Sequence, residues 1–97
     1  MQPNNLRDLL RAHIGSPCPY CGAPMEQPVS NHVRPVVYGG SLTDANKLVV
    51  CQRCDHDKGQ LTLTAWAARL RAAGDPRLTI VTALRAARKA AKAVLAA

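Results

Sequence analysis

The feature that most constrains this chain is a repeated Cys-x-x-Cys spacing, which pairs Cys18 with Cys21 and Cys51 with Cys54. Two such pairs supply four thiolates, the ligand set of a closed tetrahedral zinc site that leaves no position open for a substrate. In a small domain the free energy of zinc binding is also folding free energy, because the unfolded chain has no preformed site. The spacing therefore predicts one structural zinc ion, without which residues 16–60 lose their structure.

The cysteines allow two other interpretations. Two disulfide bonds in a secreted protein would use the same residues, but both pairs have metal-knuckle spacing and the amino-terminal residues do not resemble a signal peptide. We therefore expect reduced cysteines in a cytoplasmic protein. The tetrapeptide Cys18-Pro-Tyr-Cys21 is also the active-site sequence of glutaredoxins. A redox site needs a helix that begins at the motif, and Gly22-Ala23-Pro24 would interrupt that helix within one turn.

The length of the chain limits the number of domains, and its charge indicates the kind of partner. A chain of 97 residues is long enough for one domain, in which the hydrophobic core is marginal and a bound metal is a common additional support. The net charge of +7 favours a polyanionic partner. No apolar run reaches the length of about 18 residues that a membrane span needs, so we expect no membrane partner.

Hydrophobic patterning and capping residues predict an α+β architecture with a short amino-terminal helix, a strand–loop–strand–helix unit and two carboxyl-terminal helices. The expected elements are a helix over 4–14 capped by Asn4 or Asn5, strands at Val29–Arg34 and Leu48–Val50, and helices at Gln52–Lys58, Ala65–Ala73 and from Asp75-Pro76 to about Leu95. The single domain, residues 1–97, divides into an amino-terminal helix (1–15), a zinc-stapled core (16–60) and a helical basic extension (61–97).

The segment from Cys18 to Gly59 contains a set of residues that together resemble the HNH endonuclease motif. They are Ser-Asn-His-Val-Arg-Pro at 30–35, Gly39-Gly40, Asn46, and Cys-Gln-Arg-Cys-Asp-His-Asp-Lys-Gly at 51–59. The resemblance implies the ββα-metal fold of that family in its four-cysteine, zinc-binding form. It also implies an enzyme, known from bacteria and bacteriophages, that hydrolyses DNA phosphodiester bonds to 3′-hydroxyl and 5′-phosphate ends.

The resemblance also implies a role for individual residues. His32 would be the general base, and Asn46 would orient the loop between the strands. Asn31 and Asp55 would bind one catalytic divalent cation, Mg²⁺, Mn²⁺ or Ni²⁺. His56 would replace Asp55 if the helix began one residue later, and Arg53 or Lys58 would contact the scissile phosphate.

Two positions depart from the family pattern. The family usually has Asp or Glu where this chain has Asn31, and a neutral His or Asn where it has Asp55. Together the two changes resemble an exchange that keeps one carboxylate and one neutral ligand. The alternative is a decayed site, in which case the protein is a non-catalytic, zinc-stapled DNA-binding module with a degenerate HNH site.

The carboxyl-terminal residues 77–97 contain no acidic side chain. We predict that four of their cations contact the DNA backbone with low sequence specificity: Arg85, Arg88, Lys89 and Lys92. A solvated cationic face on an alanine-rich helix would have the same sequence. A further alternative is that this helix binds an acidic protein partner or a second copy of the chain. The expected location is the cytoplasm of a bacterial or phage-infected cell.

Overall fold

The structure, a computed structural model, describes residues 5–96. These residues contain four α-helices and one two-stranded antiparallel sheet, so the predicted α+β class is confirmed. The elements are α1 (Leu6–Ala12), β1 (Pro28–His32), β2 (Lys47–Cys51), α2 (Gln52–Lys58), α3 (Leu63–Ala73) and α4 (Arg77–Ala96). Two single-turn 3-10 helices, Val36–Tyr38 and Asp44–Asn46, lie in the loop between the strands.

The β hairpin joins the segment that follows the first cysteine pair to the second cysteine pair. Pro28 pairs with Cys51 at one end of the sheet, and His32 pairs with Lys47 at the other. The predicted first strand, Val29–Arg34, was placed too far along the chain. It ends at His32 because Asn46, the next residue in register, belongs to the 3-10 helix Asp44–Asn46, and the Asn46 side chain rather than a strand backbone bonds the Arg34 amide and carbonyl. Pro28 can belong to β1 because it is the first residue of an edge strand.

The helices begin at residues whose side chains cap them, and such residues can be recognised in the sequence. The side chain of Asn5 accepts a hydrogen bond from the Asp8 amide at 2.9 Å and begins α1, whereas Asn4 lies outside the described residues. Thr62 caps α3 in the same way, so that helix begins two residues before the predicted Ala65. The bounds of α2 are those predicted from the sequence.

The core is small and includes the cysteines. Trp66 of α3 packs edge-to-face against Tyr20 of the first knuckle, with ring centroids 5.1 Å apart. Val50 of β2 and Val81 of α4 are fully buried in the same cluster as Cys18 and other apolar side chains. The carboxyl-terminal helices therefore cover the two cysteine knuckles. No helix within residues 5–96 is long and apolar enough to cross a membrane.

Candidate active site and cysteine cluster

The four cysteines form one cluster. Their sulfur atoms all lie within 4.8 Å of one another, and the Sγ atoms of Cys21 and Cys51 are 3.9 Å apart. Sulfurs bound to one tetrahedral zinc at 2.3 Å would be separated by about 3.8 Å. All four are free thiols, so the disulfide interpretation is not supported. The cluster can hold a metal ion, and zinc fits its donor set.

Backbone amides favour the thiolate form of Cys18, whereas burial raises the pKa of the Cys21 and Cys54 thiols. Burial acts to raise the pKa of the Cys18 thiol, but hydrogen bonds from the amides of Cys51, Tyr20 and Cys21 outweigh it and leave that pKa below its ordinary value. Both the Tyr20 and the Cys51 amide donate to the Cys18 sulfur at 3.4 Å. Since the thiolate is the form that binds a metal, these donors favour metal binding.

A second site lies beside the sheet, in a cavity of about 240 Å³. Asn31 and His32 reach it from the end of β1, and Asp55 reaches it from the first turn of α2. Gly59, Gln60 and residues 35–37 line the remainder. Three residues that the sequence assigned to catalysis are thus brought to one cavity.

One ring nitrogen of His32 lacks a hydrogen-bond partner among the described residues. Its Nε2 atom is buried and has no hydrogen bond to any residue within 5–96. Burying an imidazole nitrogen without a partner costs free energy, on the order of 1–3 kcal/mol. A water molecule or a substrate group bound in the cavity would remove that cost.

Asn31 links the cavity to the first cysteine knuckle. The Tyr20 hydroxyl donates to Asn31 Oδ1 at 2.8 Å, and Asn31 Nδ2 donates to Asp55 Oδ1 at 2.8 Å. Both Tyr20 and Asn31 are buried. Burial raises the pKa of the Tyr20 hydroxyl well above its ordinary value, so it remains a donor at neutral pH. This role of Tyr20 could not be predicted from the sequence, because a bond between residues 20 and 31 leaves no periodic pattern.

A comparison with known protein families finds a match to the segment that contains the cysteine cluster and the cavity. The family description that matches is "HNH endonuclease", and the match covers residues 18–61. Residues 18–61 therefore match an HNH endonuclease domain. The HNH segment therefore holds both cysteine pairs and the cavity residues, as the sequence resemblance indicated. Searches of curated proteins and of solved structures gave no significant match.

The loop of the HNH segment is fixed by Asn46. Its Nδ2 donates to the carbonyls of Arg34 and Ser41 at 2.9 and 2.8 Å, and its Oδ1 accepts from the Arg34 amide at 2.9 Å. Gly40 is required at the point of closest approach, because a Cβ atom there would overlap the Arg34 carbonyl. The Asn46 side chain therefore closes this loop in place of the backbone hydrogen bonds of a β sheet.

The other polar residues predicted for the HNH site lie elsewhere. The Lys58 side chain is buried, and its ammonium donates to the His32 carbonyl at 3.2 Å, behind the cavity. Burial lowers the pKa of Lys58. Arg53 is 73% exposed and lies 3.8 Å from Asp57. His56 is exposed and does not line the cavity.

A basic groove of about 710 Å³ runs between α4 and the loop of the HNH segment. Its lining contains the cationic side chains of Arg34, Arg85, Arg88, Lys89 and Lys92. Within residues 5–96, no acidic side chain lines it. Arg88 donates to the Ala45 carbonyl at 2.9 Å, and Arg85 donates to the Thr64 hydroxyl at 2.9 Å.

Arg77 joins the carboxyl-terminal helices to the cysteine cluster of the HNH segment. Its Nη1 donates to the Cys54 sulfur at 3.5 Å and to Asp57 at 2.9 Å, while Nη2 donates to Asp75 at 2.9 Å. The guanidinium also lies 5.4 Å from the centroid of the Trp66 ring. The sequence placed Arg77 only among the basic residues of the last helix, because nothing local distinguishes a buried arginine from an exposed one.

Proposed function

We propose that the protein is a DNA endonuclease of the HNH type, which hydrolyses phosphodiester bonds with one divalent cation and a histidine general base. The observation that carries this proposal is the convergence of Asn31, His32 and Asp55 on one cavity in which His32 Nε2 has no partner within residues 5–96. A general base must have a nitrogen that is free to accept a proton, and Nε2 meets that requirement.

Asp55 and Asn31 are the residues that would hold the divalent cation. Their facing atoms are 2.8 Å apart, and two adjacent oxygens on an octahedral ion with bonds of about 2.1 Å lie at a similar separation, about 3 Å. An amide that binds a hard cation presents its oxygen, so Asn31 would have to turn its amide, and the Tyr20 hydroxyl oxygen would then accept from Nδ2. The bound cation would stabilise the negative charge of the transition state and of the departing 3′ oxygen.

The protein's own groups would perform the remaining steps. His32 takes the proton of the attacking water at Nε2, and a neutral imidazole suits that task near neutral pH. Lys58 holds the His32 carbonyl from behind the strand and so fixes the position of the base. This contact favours a positioning role for Lys58 and leaves Arg53, which is exposed, as the candidate for the scissile phosphate.

The basic groove supports DNA as the substrate. Lys89 and Lys92 have no acidic neighbour in the groove lining within residues 5–96, and they lie with Arg85 and Arg88 along one wall. Contacts to phosphate position a duplex without reading its sequence, so low sequence specificity is expected.

The test is nicking of supercoiled plasmid by zinc-loaded protein with Mg²⁺, Mn²⁺ or Ni²⁺. His32→Ala should lower the rate by roughly 10²–10⁴-fold, as expected for loss of a general base. His56→Ala is the matched control, because His56 is exposed and outside the cavity. Equal rates for His32→Ala and the parent would exclude His32 as the base.

One observation favours the non-catalytic alternative. Asn31 stands where the family usually has a carboxylate, and its Oδ1 is engaged by the Tyr20 hydroxyl. A DNA-binding module with a degenerate site would bind DNA but remain inactive with every divalent cation. Recovery of nicking by Asn31→Asp in an otherwise inactive protein would establish that alternative.

A further inference from the structure

The loop between the strands exposes an unusual number of large apolar side chains. Val36, Val37, Tyr38 and Leu42 are 49, 73, 55 and 69% exposed. Single exposed apolar residues are ordinary on a soluble protein, whereas a contiguous patch marks a contact surface. We call residues 36–42 the apolar loop tip.

The apolar loop tip is held in a fixed shape. Its base is closed by the three hydrogen bonds of the Asn46 side chain to Arg34 and Ser41. The Arg34 Nε donates to the Tyr38 carbonyl at 2.7 Å, and Gly39 adopts the left-handed conformation with φ of 86°. The apolar side chains are thus presented by a preorganised turn, which reduces the entropy lost on binding.

The position of the apolar loop tip indicates what covers it. Val36 and Val37 line the candidate catalytic cavity on one side. Gly39 and Gly40 line the basic groove on the other side. A polyanion that occupies the groove and reaches the cavity must therefore pass over the tip. Nucleic acid is a polyanion that also offers apolar surfaces, namely the faces of its bases.

We propose that the apolar loop tip inserts Val37 and Tyr38 against the base stack of bound DNA, and that the protein prefers DNA with unpaired, bulged or mismatched bases. This inference rests on the proposed function and adds a substrate class to it. Apolar wedges that enter a base step must partly unstack it, and unstacking is less costly where bases are mismatched or unpaired. The cations of the groove cannot provide this preference, because phosphates are present in every sequence.

The test compares two short duplexes, one fully paired and one with a central bulge, in their binding to zinc-loaded protein without a catalytic cation. A 2-aminopurine base beside the bulge reports unstacking. The parent should bind the bulged duplex on the order of tenfold more tightly, as expected for an apolar contact with a base. It should also raise the fluorescence of the 2-aminopurine, because the wedge unstacks that base from its neighbour. The double variant Val37→Ser with Tyr38→Ser should lose this preference while keeping the dependence of affinity on salt, since no cation is removed.

Ile14→Ser is the matched control, because Ile14 is an apolar residue that is 59% exposed but lies beside α1, at a different surface pocket. It should retain the preference for the bulge. Equal affinity of the parent for both duplexes, or a preference that survives the double substitution, would overturn the wedge. Salt-dependent binding and metal-dependent nicking by the parent test the proposed function separately. A dimer of the parent that the double variant converts to a monomer, with duplex preference unchanged, would identify a second copy as the occupant and overturn the proposal.

Discussion

Asn31 donates its amide hydrogen to Asp55 Oδ1 across 2.8 Å, so that an amide and a carboxylate face each other where the HNH family usually has a carboxylate facing a neutral residue. The pair contains one formal negative charge, that of Asp55. We propose that the two positions have exchanged carboxylate and neutral ligand while both remain at the same place in the fold. Whether the exchange preserves cation binding can be measured directly.

Asp55→Ala should weaken Mn²⁺ binding to zinc-loaded protein by more than about tenfold, because the variant removes the only carboxylate of the pair. Asn31→Asp should bind Mn²⁺ more tightly than the parent for the same reason. Asn31→Asp combined with Asp55→His should restore parent-like nicking, since it rebuilds the usual family arrangement with the same charge. Isothermal titration measures the first two effects; unchanged affinity in Asp55→Ala would place the cation elsewhere.

Tyr20→Phe should leave the zinc content unchanged but lower the free energy of unfolding by about 1–3 kcal/mol, because Asn31 Oδ1 loses its buried donor. It should also weaken Mn²⁺ binding, since the Asn31 amide, once its oxygen is turned to the cation, would have no Tyr20 oxygen to accept from its Nδ2. Tyr38→Phe is a suitable control because that side chain is exposed. Chemical denaturation and Mn²⁺ titration of both variants check the expectation; a Tyr20→Phe protein as stable as the parent contradicts it.

Protein purified without added metal should contain one zinc per chain, measured by elemental analysis. Cys54→Ser should lose the metal and the fold together, because structural zinc contributes roughly 10–16 kcal/mol in small modules. Far-ultraviolet circular dichroism reports the fold. A metal-free parent that keeps its helix content would show that the cysteine cluster is not a zinc site.

Asp75 should stabilise the protein in a pH-dependent way. Hydrogen bonds from Arg77 lower the pKa of Asp75 to about 2. Since the unfolded value is near 3.9, its contribution is complete above about pH 4 and is lost as the pH falls through about 2. Asp75→Asn should therefore be less stable than the parent by a constant amount at neutral and mildly acidic pH. Denaturation at several pH values tests this.

The control for that experiment is Asp44→Asn, which removes an ion pair of 3.9 Å from a fully exposed carboxylate. Exposed pairs contribute little, so its stability should remain close to that of the parent. If Asp75→Asn and Asp44→Asn lower the free energy of unfolding by the same amount, the ion pair between Arg77 and Asp75 does not stabilise the protein.

Replacing Lys89 and Lys92 by Gln should weaken binding to all duplexes alike. Each phosphate contact that is lost should reduce the slope of log affinity against log salt by about 0.9. Arg7→Gln with Arg11→Gln removes the same charge from α1, which lies outside the groove, and should change the slope less. Equal changes in both double variants would show that only net charge matters.

Sequence patterns predicted the local features of this fold well. The bounds of α2 agree with the prediction because the second cysteine pair and Gly59 delimit it, whereas α3 ends as predicted but begins two residues earlier because Thr62 caps it. The family resemblance placed His32 and Asp55 together, which no local pattern could have done.

The contacts that the sequence did not predict are those made between distant elements. Tyr20 lies inside a cysteine motif, where its spacing indicates nothing about a bond to Asn31. Arg53 or Lys58 was expected at the scissile phosphate, and the sequence did not indicate that the packing of α2 on β1 turns the Lys58 side chain inward. Such outcomes depend on which helix face meets the sheet, and that is decided by the whole core.

The contact of Arg77 with Cys54 has a consequence for protein engineering. The family segment ends at residue 61, but a buried guanidinium from α4 donates to one sulfur of its cluster and to Asp57. A fragment cut after residue 61 would leave that sulfur and the Trp66-facing side of Tyr20 uncovered. The smallest portable unit for grafting or fusion therefore extends through the amino-terminal turns of α4, and domain borders drawn from family similarity alone would divide it.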